Sequence, residues 1–398
     1  MTTGPGPLAV WAGDSRAGTL TRERRQDYVF AYLPDASLPA QVSLTMPIRL
    51  GSWNSRELHP IFQMNLPEGA LLDVVRRAIA KLVGEDDLAV LSVTGGNPVG
   101  RNRFTAPGAD PPTQPRATES LDALLTYPDA RELFHELLER YALRSGVSGV
   151  QPKVLLDAAD RGALASTRFI VKSWGTDTPQ LAANEFFCMS AARRARIPTP
   201  EFHLSDNGGL FVMRRFDVAP DGAALGFEDM ASLQGLGTPD KYRGSYERVA
   251  RSLTSFVSGE HLPAARETFF AVLVLSVVVR NGDAHLKNFG VLYPIPGGPV
   301  AMAPAYDIVT TAAYLRHDVP ALTLDGTKRW WPRKALEKFA RVHLTLPVKT
   351  VRETFQRVAD AVSDTRKDLV AYAAEHPDFR AVGDAMLRAW EEGLRELK

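Results

Sequence analysis

At 398 residues the chain can bury a substantial core and divide into two or three units. With 45% apolar and 23% charged residues and a formal charge of +1, it has no global field towards nucleic acid or anionic membrane, so any basic site must be local. A single cysteine, Cys188, excludes an internal disulfide framework and an all-cysteine zinc site, and suits a reducing cytoplasm.

The opening stretch, MTTGPGPLAVWAGDSRAG, has no basic segment leading into an apolar one, so no signal peptide is expected. Residues 8 to 105 read as β-rich. YVFAYL (28–33) alternates and is aromatic, and GSWNS, NLPEG and GGNPVG punctuate the rest. Within this part EGALLDVVRRAIAKLVG predicts a helix with Leu71, Leu72, Val75, Ile79 and Leu82 on one face. The expected organisation is a β-rich subdomain over 1–105, a Pro-rich linker over 106–120, a nucleotide-binding part over 121–225 and a helical lobe over 226–398.

DARELFHELLERYAL (129–143) is an amphipathic helix. A glycine-containing turn, a strand and a hairpin then lead to a second strand, FIVKSW, carrying Lys172. QLAANEFFCMSAARRARIP predicts a helix stopped by Pro198, and FVMRRFDV (211–218) a short strand. FFAVLVLSVVV (269–279) is about half of the roughly 20 residues that span a bilayer, so it reads as buried core and no membrane partner is expected. A hairpin is expected at YPIPGGPV, and 333–398 is helical throughout.

RNGDAHLKN places Asp283 and Asn288 five residues apart, the spacing of a kinase catalytic loop. Such a loop presents a carboxylate to the incoming hydroxyl and, about one turn later, an amide oxygen to Mg²⁺, which prefers hard oxygen ligands. A second metal carboxylate should arrive nearby, and Asp307 in APAYDIVTT follows the hairpin. His285 reads as a brace for the loop and Lys287 as a counter-charge for the transferred phosphoryl. Lys172 would grip the α and β phosphates of ATP, Glu185 would hold that lysine, and the backbone of SGVSGVQPK would cover the phosphates. Each part alone has an ordinary reading: a chance Asp–Asn pair, a surface lysine, a solvated glutamate, a turn. Their order along the chain favours the phosphotransfer reading.

These motifs resemble the HipA-type serine/threonine toxin kinases of bacterial toxin–antitoxin modules. NLPEG and GGNPVG resemble the family's N-terminal subdomain and SGVQPK its phosphate loop. FIVK resembles its lysine strand, FVMRRFDV its hinge, and EDMASLQGL and KYRGSYERV the start of its helical lobe. RNGDAHLKNFGVL and PAYDIVTT resemble its catalytic and metal motifs.

The resemblance implies an α/β (α+β) fold, two-lobed and protein-kinase-like, with an extra β-rich N-terminal subdomain and an all-helical C-terminal lobe. It makes Asp283 the base and Asn288 and Asp307 the magnesium ligands. Ser148, Gly149, Val150, Gln151, Lys153 and Lys172 would contact the nucleotide phosphates, with Met213, Arg214, Arg215 and Phe216 bordering the adenine. The implied cofactors are ATP and Mg²⁺. The implied partners are a protein substrate, in known cases an aminoacyl-tRNA synthetase, and a small helix-turn-helix, HipB-like antitoxin that binds operator DNA. A homodimer or an antitoxin-bridged assembly would follow. The serine that family members autophosphorylate is replaced here by Gly146, which leaves Ser148 as the candidate for that step.

Two rival readings stay open. The same loop serves kinases of small molecules or lipids, and a chain of this fold can act as a catalytically silent co-repressor with a DNA-binding partner. KRWWPRK (328–334) reads as a surface for protein contact rather than for phosphates.

Overall fold

The computed structural model describes residues 6–24, 27–80, 83–110, 120–137, 162–165, 168–175 and 177–397. The chain forms two compact units, one from residues 1–175, 205–239 and 292–299, the other from 176–204, 240–291 and 300–398.

The first unit holds a five-stranded antiparallel sheet. Its strands are β1 (Leu8–Ala12), β2 (Ser15–Arg24), β3 (Asp27–Tyr32), β4 (Trp53–Ser55) and β5 (Asn102–Thr105), in the order β4-β3-β2-β1-β5. Alternation in β3 sends Tyr28, Phe30 and Tyr32 to one buried face, as a period of two requires. Gly18 in β2 faces β3 so closely that a Cβ would come within 2.1 Å of the Ala31 carbonyl. Only glycine fits there.

The helix read from residue 68 spans Gly69–Ile79. Its Leu71, Val74, Val75 and Ile79 pack with Phe169 and Val171 of one strand and Leu210 and Val212 of the next. Burial of each such side chain is worth roughly 1.5–3 kcal/mol. This core fixes the Lys172 strand, Phe169–Ser173, which pairs antiparallel with Leu210–Arg214 and places Lys172 opposite Phe211. Lys172 therefore points away from the packed face that holds Phe169 and Val171.

Two buried polar clusters tie the first unit together. Arg215 donates to Asp217 at 3.0 and 2.5 Å, to Asn97 Oδ1 at 3.0 Å and to the Pro98 carbonyl at 3.0 Å. The Gly100 N–H donates to Asp217 at 2.6 Å, so the GGNPVG loop is bonded to the stretch read as a hinge. In the second cluster, Glu228 is fully buried and accepts from Leu44 N–H, Ser43 Oγ and Tyr293 Oη, each at 2.7 Å. Burial pushes its carboxyl from the ordinary value of 4.5 to about 7, against the pull of those three donors.

The folded chain thus holds this proton more tightly than the unfolded one. The contribution is most favourable below pH 4.5, declines as pH rises from 4.5 to about 7, and is flat above. At about 1.4 kcal/mol per unit the span is roughly 3 kcal/mol. Glu228→Gln keeps an acceptor without a charge, so its unfolding midpoint should lose this part of the decline between pH 5 and pH 8. Parallel pH profiles of the two proteins would reject this role for Glu228.

The second unit is mainly helical. Leu262–Val278 is its central helix, and the apolar run inside it is buried on every side, as expected for a core segment. Phe270 meets Phe355 of helix Val348–Glu375 edge-on at 5.5 Å. Helix Arg380–Glu396 approaches so closely that a Cβ on Gly393 would lie 2.1 Å from the Val278 carbonyl. Among the described residues no helix is long and apolar enough to cross a membrane. The KRWWPRK cluster, expected as surface, is partly core: Trp331 is 1% exposed and meets Tyr246 edge-on at 5.8 Å.

Candidate active site

The central helix ends at Val278, and Arg280 turns the chain through a left-handed conformation (φ 56°). The segment read as a catalytic loop begins there. Asn281 Oδ1 accepts from the Asp283 N–H at 3.1 Å, closing a local turn. The Ala284 carbonyl accepts from Tyr246 Oη at 3.0 Å, and the Leu286 N–H donates to the Lys241 carbonyl at 3.1 Å. Leu286–Asn288 then forms a short 3₁₀ turn, with Asn288 Oδ1 accepting from the His285 N–H at 2.9 Å. The loop is therefore held at several points.

Asn288 and Asp307, 19 residues apart, are brought together: Asn288 Nδ2 donates to Asp307 Oδ2 at 2.6 Å. Tyr306 Oη donates to the Lys287 carbonyl at 2.7 Å, a second tie between the two segments. Asp307 sits at φ 61°, a conformation that a non-glycine residue adopts at some cost. Strain of this kind, over-determined by its surroundings, gathers at functional sites. The expected hairpin precedes it, with Gly290–Tyr293 and Ala301–Met302 as neighbouring strands.

Asp283 has its pKa raised by burial above all, with Asp307 adding to the rise, against the lowering effects of His285, Tyr242 and Lys241. Tyr242 Oη donates to Asp283 Oδ1 at 2.7 Å, and His285 Nε2 lies 3.9 Å from the same oxygen. The His285 side chain is only 5% exposed and packs edge-on to Tyr242 at 5.0 Å. Lys287 is half-buried between these groups in sequence.

Asp283, His285, Lys287, Asn288 and Asp307 all belong to the second unit, and Lys172, Met213, Arg214, Arg215 and Phe216 to the first. Lys172 Nζ lies 5.8 Å from the centre of the Phe211 ring. Met213 is buried, Arg214 is exposed, Arg215 is spent on the Asp217 cluster, and Phe216 packs edge-on to Phe227 at 5.4 Å. Glu185 is fully buried in helix Leu181–Arg194 rather than solvated, and burial of a carboxylate calls for a partner or a proton. Ser148, Gly149, Val150, Gln151 and Lys153 lie outside the described residues.

Three contributors were not singled out in the sequence. Tyr242, Tyr306 and Asn184 act over separations of 41, 19 and 126 residues, which no local spacing reveals. Asn184 is fully buried and bonds both backbone groups of Thr310. It accepts from the N–H at 2.8 Å and donates to the carbonyl at 3.1 Å, which pins the segment that follows Asp307.

The donor set suits magnesium. Asp307 offers a carboxylate, and Asn288 offers an amide oxygen that has two lone pairs and accepts one bond from His285 N–H. One or two carboxylates plus substrate phosphates are what Mg²⁺ takes beside a nucleotide.

The HipA N-terminal domain model matches residues 8–105 and the HipA-like C-terminal domain model residues 145–366. Two Sinorhizobium fredii proteins are similar in sequence. One, named "Putative kinase Y4dM", is 31% identical over 269 residues, 60% of this chain and 63% of that protein. The other, "Putative kinase Y4mE", is 29% identical over 337 residues, 77% and 78% of the two chains. The chain thus spans under two thirds of the length of the first relative. A chain of the Shewanella oneidensis MR-1 complex of HipA, HipB and operator DNA matches over 98% of this chain and 97% of its own. Its TM-score of 0.70 at 18% identity shows a shared α/β fold. With more than half of its length under the C-terminal model and the N-terminal model preceding it, the chain belongs to the HipA family.

Proposed function

We propose that the protein is an ATP-dependent serine/threonine protein kinase and the toxin of a toxin–antitoxin module. The observation that carries this reading is the convergence of Asp283, Asn288 and Asp307 in the second unit, with Asn288 bonded to Asp307. Asn288 and Asp307 would hold Mg²⁺ with ATP, which supplies a phosphoryl group whose charge the metal offsets.

Asp283 takes the proton of the attacking hydroxyl. Tyr242 fixes Oδ1, which assigns that proton to Oδ2. A carboxylate whose pKa is raised by burial is a stronger base for this task than a solvated one. Lys287 screens the developing charge. Tyr242→Phe removes a donor that lowers the Asp283 pKa, so the acidic limb of the rate profile should move to higher pH. The rate should fall by up to about tenfold, the worth of a hydrogen bond to a charged group. A rate profile unchanged by Tyr242→Phe would mean that this bond plays no part in the base's action.

The antitoxin and operator partners are supported by family membership and by the composition of the Shewanella complex. Induced expression should arrest growth for the wild type and not for Asp283→Ala, and arrested cells should show a new phosphoserine or phosphothreonine on a protein. Equal growth of both strains, with label passing to a small molecule, would favour the small-molecule kinase instead.

A further inference from the structure

Beside the catalytic segment lies a carboxylate that the phosphotransfer scheme does not use. Asp318 rests against Gly282, the residue before Asp283, so closely that a Cβ there would come within 2.2 and 2.3 Å of its two carboxylate oxygens. Asp318 Oδ2 accepts a short hydrogen bond from the Thr311 hydroxyl. Thr311 Oγ1 in turn accepts from the Gly282 N–H at 2.6 Å. The Arg280 carbonyl, 3.0 Å from that hydroxyl, competes for its single proton, but an ionised carboxylate is the stronger acceptor. The Asp318 backbone is itself fixed, since Trp330 Nε1 donates to its carbonyl at 3.0 Å.

These contacts join two pieces of chain. Thr311 lies four residues after Asp307, and Gly282 directly precedes Asp283. With the Thr311 proton committed to Asp318, the hydroxyl's lone pairs face the Gly282 N–H. Without the carboxylate the hydroxyl keeps its own bonds to Arg280 and Gly282, but the bridge that runs from Thr311 through Asp318 onto Gly282 is lost, and the two segments are joined by one tie fewer. We propose that Asp318 is a positioning residue that, through Thr311, latches the segment carrying the base to the segment carrying the metal carboxylate. Its effect on turnover rests on the kinase reading, whereas the latch itself does not.

Hydrogen exchange and kinetics together test this on the full chain, using wild type, Asp318→Ala and Asp318→Asn. In Asp318→Ala the amides of 280–288 should exchange about tenfold faster or more, while those of 348–375 keep their protection. The turnover number should drop by about tenfold, with the Michaelis constant for ATP changed by less than about threefold. Asp318→Asn retains an acceptor oxygen and should recover most of both losses, and it serves as the test variant if Asp318→Ala does not fold. Unchanged exchange over 280–288, or a uniform rise along the chain, would overturn the latch. Looser 280–288 amides with full turnover would overturn its role in positioning. A wild type that transfers no phosphate would remove the kinase reading, and the exchange arm would still decide the latch.

Discussion

Asp283→Ala should lower the rate of phosphoryl transfer by about 10²–10³ or more, while the protein keeps its thermal midpoint. The asymmetry follows from where the side chain sits. Its side chain is 42% exposed and bonded by Tyr242, itself 44% exposed, so that hydroxyl can turn to water when the carboxylate is removed. The backbone of the loop is meanwhile held by Asn281, Lys241, Tyr246 and Thr311, none of which depends on the Asp283 side chain. Single-turnover transfer and a melting curve read the two halves of the expectation. A variant that transfers at the wild-type rate would end the assignment of Asp283 as base, and one that unfolds would make its role structural.

Asp217→Ala should cost about 3–5 kcal/mol of stability, because it leaves the Arg215 guanidinium buried without its counter-ion. The two side chains are 1% and 0% exposed, so water cannot step in. The change also strands the Gly100 N–H, which donates to Asp217 at 2.6 Å. Replacing both partners by apolar residues, Arg215→Met with Asp217→Leu, should recover much of the loss, since it removes the buried charges together. Denaturant titration of the single and double variants measures this. A single variant within about 0.5 kcal/mol of wild type would show that the pair carries no such weight.

Much of the proposed site was legible because the parts of a phosphotransfer loop are expected at short, fixed separations. Asp283 and Asn288 share one loop, and Asp307 comes one hairpin later, so their order along the chain nominates all three, and Asn288 is bonded to Asp307. What spacing could not nominate is whatever the fold delivers from afar. Tyr242 comes from the segment before another helix, Asn184 from the helix after the lysine strand, and Asp318 from beyond the metal segment. Each is an ordinary polar residue until packing sets it against the loop.

Burial was hard to read from composition. Trp331 and Arg215 sit in polar, charged stretches that read as surface or as a nucleotide border. Trp331 fills core, and Arg215 binds its own unit together. Element types were read more securely than their ends. The helix expected to run to Pro198 stops at Arg194, where Arg196 at φ 55° and the Ile197 N–H bonding the Ala192 carbonyl at 3.0 Å form a left-handed cap. The proline restricts only the residue before it, and the cap acts earlier.

The central claim is that Asn288 and Asp307 form a metal site that serves a bound nucleotide beside Asp283. Titrating ATP into the wild type and into Asp307→Ala, each with and without Mg²⁺, tests it most directly. Magnesium should tighten nucleotide binding to the wild type by about tenfold or more, and by less than about twofold in the variant. Equal tightening in both proteins would place the metal elsewhere and contradict the account.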